Sequence, residues 1–170
     1  MPFTPYHFGP AGFLGLVFKK WIDVPVFVLS NVAIDIEVLI VIIFGLGWPH
    51  HRFCHTFLGG ALVGVAFAFI AWPMRSLFKK IMGLLRLPYS TTFRKMLLWS
   101  IAGVWFHIFI DSICHYDARP FWPSKAAPLY HLITEKQVKT ICLAFWLAAL
   151  ILLAVNFFRK PNSSKTDIQK

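Results

Sequence analysis

The chain has 170 residues, of which 58% are hydrophobic and only 14% charged, and its mean hydropathy is +0.65. A soluble domain of this size needs more polar surface than that to cover a core, so a water-soluble globular fold is excluded and lipid takes the place of water as solvent. The net charge of +10 sits in short basic clusters between apolar stretches, the pattern that orients membrane helices, so no nucleic-acid partner is expected.

The first apolar segment, 6–18, holds Pro10 and three glycines and is short for a span; it is either a short first helix or a re-entrant segment. The stretches 24–45 and 55–72 are long enough to cross. Between 77 and 87, Lys79, Lys80 and Arg86 alternate with Leu77, Phe78, Ile81, Leu84 and Leu85, which predicts an amphipathic helix lying on the interface. The stretches 97–115 and 138–158 are again long enough to span, and the tail 161–170 is polar, with no apolar face to order it. The expected fold class is therefore all-α: a polytopic transmembrane bundle of four to five helices in a single domain, 1–160, with one interfacial amphipathic helix and a polar tail.

Orientation follows from lysine and arginine. Twelve of them fall on the side that holds Lys19, Lys20, the 75–95 region and the C-terminal segment; five (Arg52, Arg119, Lys125, Lys136 and Lys139) fall on the other. The positive-inside rule makes the richer side, and the C-terminus with it, cytoplasmic. Cys54, Cys114 and Cys142 show no metal-knuckle spacing and read as reduced packing residues.

Against this apolar background several residues stand out. A carboxylate at mid-bilayer costs ~2.5–3.5 kcal/mol even on a lenient scale, and it persists where it pairs, lines a wet cavity or binds an ion. Asp35 and Glu37 lie inside 24–45, with Asn31 one turn before Asp35, and Asp111 lies inside 97–115, one turn beyond His107. His51 and His55, like His107 and Asp111, are four apart, a helical spacing that puts two side chains on one face within reach of a single cation. Counted from the helix ends, Asp35, His51, His55, His107 and Asp111 all fall in the outer half of the bilayer, and His7 opens the first segment on that side. Each pair also has a plainer explanation. His51 and His55 suit an interfacial cap, His107–Asp111 an interhelical hydrogen bond, and Asp35 a pair with Arg52. Glu37 lies ~200° around a regular helix from Asp35, so the two are not expected to face one centre; Glu37 is left as a general base or a partner for lysine. His115 continues the Asp111 face. Imidazole with carboxylate suits zinc foremost, with manganese or iron as alternatives, and the number of donors allows one ion or two.

In this order, His7, then Asn31-Val-Ala-Ile-Asp35-Ile-Glu37, then His51-Arg52-x-x-His55-Thr56, then His107-x-x-x-Asp111, then Pro120-Phe121-x-Pro123, the chain resembles the YdjM-like family over about residues 5–125. That family's pattern has an early histidine, Pro-Asp-x-Asp, His-Arg-x-x-His-Ser, and His-x-x-x-Asp before a Pro-Phe loop. Here the second element lacks its proline and ends in Glu37, and Thr56 replaces the serine. The resemblance implies an inner-membrane metal-dependent hydrolase. More distantly the pattern is similar to zinc-dependent phospholipase C and related nucleases, which points to a phosphoester or lipid-linked substrate near the outer leaflet. On this reading His7, Asp35, His51, His55, His107 and Asp111 are metal ligands or their neighbours. Glu37 is the candidate base, and Arg52 either clamps a phosphate oxygen or snorkels to the interface. The alternative is a transporter-like protein that handles metal or protons without hydrolysis.

Overall fold

A computed structural model describes residues 5–47 and 53–159, and these are helical with no strand among them. Helix α1 spans Pro5–Val17; at ~1.5 Å per residue it is ~20 Å long, too short for a hydrocarbon core of ~30 Å. Four helical stretches are long and apolar enough to cross a membrane: Val24–Ile43, Phe57–Leu84, Phe93–Cys114 and Glu135–Phe158.

The first of these is made of two pieces. Helix α2 (Val24–Ala33) stops at a turn through Ile34 and Asp35, and α3 (Ile36–Ile43) follows. At the joint the backbone tightens to three-residue closures, Asp35 N to Val32 O at 3.2 Å and Glu37 N to Ile34 O at 3.1 Å. Beyond α3 the chain turns through Gly45 and Gly47, both at positive φ, where glycine carries no steric penalty.

The second opens with a 3-10 turn, Phe53–His55, before α4 (Phe57–Ala71). Thr56 caps α4, its hydroxyl accepting from Gly59 N at 2.9 Å. A second 3-10 turn at Trp72–Met74, which contains Pro73, leads into α5 (Arg75–Leu84). Helix α5 matches the expected amphipathic segment: Phe78 and Met82, one turn apart, are buried, while Lys79 and Lys80 are exposed. Helix α6 (Phe93–Cys114) is capped by Thr92, and α7 (Glu135–Phe158) by a Thr134–Gln137 capping box.

Helix α6 lies at the centre, packed against α2 and α4, while α1 seats on α7 and α2. In lipid there is no hydrophobic drive between helices, so close approach at small residues has to supply the packing. A Cβ on Gly64 would stand 2.7 Å from Ile101 Cα, and one on Gly103 would collide with Phe27 O and Ser30 Oγ. Polar bonds tie the same crossings, with Ser100 Oγ donating to Gly64 O at 2.6 Å and Asn31 Nδ2 to Gly103 O at 3.2 Å.

Candidate metal centre

The sequence places His7 on the first turn of α1, Asp35 at the end of α2, His55 just ahead of α4, and His107 and Asp111 on the last turns of α6. The up-and-down path of the helices carries all of these positions to one end of the bundle, where their side chains meet. One donor atom each from Asp35, His55, His107 and Asp111 lies within 4.8 Å of every other, a group that could hold a metal ion.

His107 stands in the middle. Its Nε2 is 2.9 Å from Asp111 Oδ2 and 3.2 Å from Asp35 Oδ1. His55 Nε2 is 3.7 Å from the same Asp35 oxygen. His7 approaches from the other side: its Nε2 is 3.2 Å from Asp111 Oδ1, out of hydrogen-bond alignment, and its ring centroid lies 4.0 Å from that of His107. His115, the C-cap of α6, brings its Nε2 to 3.7 Å from Asp111 Oδ1.

These spacings fit an ion. Donors at ~2.0–2.1 Å from zinc in a tetrahedron lie ~3.3–3.4 Å apart, and the separations around His107 and Asp35 run from 2.9 to 3.7 Å. The donor set, imidazoles with carboxylates and no thiolate, suits a divalent cation and lacks the cysteines typical of closed structural zinc sites.

Burial is uneven. The side chains of His7, His55, His107 and Asp111 are at most 4% exposed, while Asp35 and Glu37 are 18% and 19% exposed. The cluster is therefore open where α2 joins α3. Glu37 and Ile34 also line an open cavity there of about 370 Å³, walled by Ile36, Ile40, Val41 and Val63.

Two expectations are corrected. His55 does not stand on a helical face, because α4 begins at Phe57 and the histidine belongs to the preceding 3-10 turn. That turn is held by the 115–134 loop: Pro120 O accepts from Phe57 N at 2.9 Å, and Phe121 and Trp122 pack edge-on against Phe57 and Phe53. Nor is Glu37 remote from the cluster, although, as expected, it does not face the same centre as Asp35 and stands outside the group of converging donors. The break at Ile34–Asp35 suspends the regular 100° repeat, and both carboxylates reach His55, Asp35 on its Nε2 edge and Glu37 on Nδ1 at 2.9 Å. Glu37 thus pairs with histidine and not with lysine. His51 and Arg52 lie outside the described residues, as does the tail 161–170.

Sequence reasoning gave Cys54 only a packing role, but it lies against Glu37. Burial and then that carboxylate push its thiol up to about 11, so it stays protonated at neutral pH.

Four helices of spanning length, a bundle glued by small and polar residues, and a cluster of acids and imidazoles at one end define a polytopic membrane protein with a candidate metal centre. The family model described as YdjM inner membrane protein matches residues 14–165, and the chain belongs to that family. No curated protein and no solved structure matches it.

Proposed function

We propose that the protein is a membrane-embedded metal-dependent hydrolase acting on a phosphoester, or on another lipid-linked substrate, near the outer headgroups. The observation that carries this reading is the convergence of Asp35, His55, His107 and Asp111 donors, from three separate parts of the chain, within 4.8 Å of one another. Buried carboxylates are costly in lipid, and a cation among them offsets that cost. His7 would complete the set, with His51 from the sequence pattern. Zinc suits the donors best, with manganese or iron as alternatives, as one ion or two. A divalent ion held there supplies a Lewis acid that polarises the bond under attack and lowers the pKa of a coordinated water.

The chain's own part is positioning. Glu37 takes the Nδ1 edge of His55, which orients the ring and leaves Nε2 for the centre, the carboxylate–imidazole arrangement that sharpens a metal ligand. This contact favours a positioning part for Glu37 over the general base its sequence position suggested. Substrate would enter where Asp35 and Glu37 are exposed, beside the apolar α3 wall, and this supports a substrate carrying a lipid tail. Arg52, next to His51 in the sequence, is assigned the phosphate clamp.

Elemental analysis of detergent-purified protein tests the reading, followed by assays on a chromogenic phosphodiester and a panel of phospholipids. Stoichiometric zinc or manganese is expected in the wild type and its loss in His55→Ala and Asp111→Ala, with hydrolysis lost in parallel. Bound metal with no hydrolysis of any substrate would favour the transporter-like alternative. No bound metal would leave the cluster as interhelical glue.

A further inference from the structure

The end of the bundle opposite the His/Asp cluster carries a second concave site. A cavity of about 280 Å³ opens between the α1–α2 connection, the chain leading from α5 into α6, and the first turn of α6. Lys19, Lys20 and Lys95 line it together with Tyr89, and buried apolar side chains, Ile22 and Met82, form part of its wall.

Lys95 Nζ donates to Ser90 O at 3.0 Å and Lys19 Nζ to Asn156 Oδ1, both uncharged acceptors, and the charge of Lys95 also acts on the buried Asp23 carboxyl. An ammonium has three donors, so each retains some for a ligand. Among the described residues none of the three makes an ion pair; the lysine that does is Lys139, with Glu135, at the other end of the bundle. Asp23 lies close by, but it is fully buried and its oxygens accept from Thr91 and from Tyr89 at 3.3 Å. Three like charges around one concavity repel one another unless an anion sits between them.

The geometry points to a phosphate site: we propose that this cavity binds the headgroup phosphate of an anionic phospholipid in the leaflet on the basic side. Inorganic phosphate offers the same chemistry, and two features favour the lipid. The cavity lies where α2 and α6 begin, at headgroup depth, and its wall is partly apolar, so it can accept the glycerol and upper acyl carbons that follow a lipid phosphate. Its volume suits such a headgroup and is small for a nucleotide. The site is independent of the metal centre.

The test uses detergent-purified full-length protein titrated with phosphatidylglycerol, phosphatidylcholine or inorganic phosphate, reading the thermal-unfolding midpoint. Phosphatidylglycerol is expected to raise the wild-type midpoint saturably, while phosphatidylcholine and inorganic phosphate leave it unchanged. In the Lys20→Gln/Lys95→Gln double variant the half-saturating lipid concentration rises roughly tenfold or more, since each lysine near an anionic lipid contributes on the order of 1 kcal/mol. The charge-matched double variant Lys79→Gln/Lys80→Gln, at exposed α5 positions that do not line the cavity, keeps the wild-type response. Lys20→Gln alone, an exposed position, serves if the double variant does not fold. An equal loss in both double variants, or an unchanged response in Lys20→Gln/Lys95→Gln, overturns the site. A midpoint raised equally by inorganic phosphate overturns the lipid assignment.

Discussion

His107 is gripped from two directions, by Asp111 one turn along its own helix and by Asp35 from a neighbouring one. Glu37 grips His55 from behind. Replacing Glu37 with Gln is therefore expected to weaken metal retention by about 10–100-fold, measured by competition with a chromophoric chelator, without removing a ligand. Unchanged affinity would show that Glu37 does not orient His55. At the other end of the bundle, burial pushes the Asp23 carboxyl up, against hydrogen bonds from Thr91 and Tyr89 and the charge of Lys95. A raised carboxyl means that the folded state holds its proton more tightly than the unfolded one. Its contribution to stability is thus present at low pH and lost as pH rises through the unfolded and then the folded value. Asp23→Asn lacks that loss, so its thermal midpoint should gain on wild type as pH rises above the unfolded carboxyl's value of about 4; a gap that closes with rising pH refutes this. His107 and Asp111 were legible in the sequence because their four-residue spacing falls inside a real helix. Glu37 was not, because its contact depends on a break that no glycine or proline announces.

Among the elements, α6 carries the most, touching α2 and α4 through glycines. Gly64→Ala and Gly103→Ala should each destabilise by about 1–3 kcal/mol, because backbone and not a flexible side-chain tip stands in the way of the new methyl group. Gly12→Ala, whose Cβ would meet Ala149 Cβ at a comfortable 3.8 Å, is the neutral control, and thermal unfolding in detergent separates the three. Thr56→Ala removes the α4 cap at a cost of about 1 kcal/mol and loosens the turn that presents His55, so metal occupancy should fall with it. Occupancy that holds while stability drops would separate the cap from the site. The spans themselves were legible from apolar length, since observed Phe93–Cys114 and Glu135–Phe158 overlap the expected stretches closely. The division of Val24–Ile43 into α2 and α3 was hidden, because the polar residues Asn31, Asp35 and Glu37 mark an unusual stretch but no glycine or proline beside them marks where the helix bends.

For the molecule as a whole, the distribution of lysine and arginine gives an orientation that fusion reporters can check. With the basic end cytoplasmic, a C-terminal green fluorescent protein should fluoresce and a C-terminal alkaline phosphatase should be inactive; the reverse pattern would invert the protein and move the His/Asp cluster to the inner leaflet. The centre also bears on assembly. The converging donors come from the α2–α3 joint, the turn before α4 and the end of α6, so no inserted helix alone can present more than the His107–Asp111 pair. An ion that needs all of them acts as a clasp: it is captured only once the helices have docked, and it resists their parting. At a free ion concentration a hundred times its dissociation constant, such a clasp adds about 2.7 kcal/mol to the assembled state. Chelation should then loosen the whole bundle, including helices that contribute no donor.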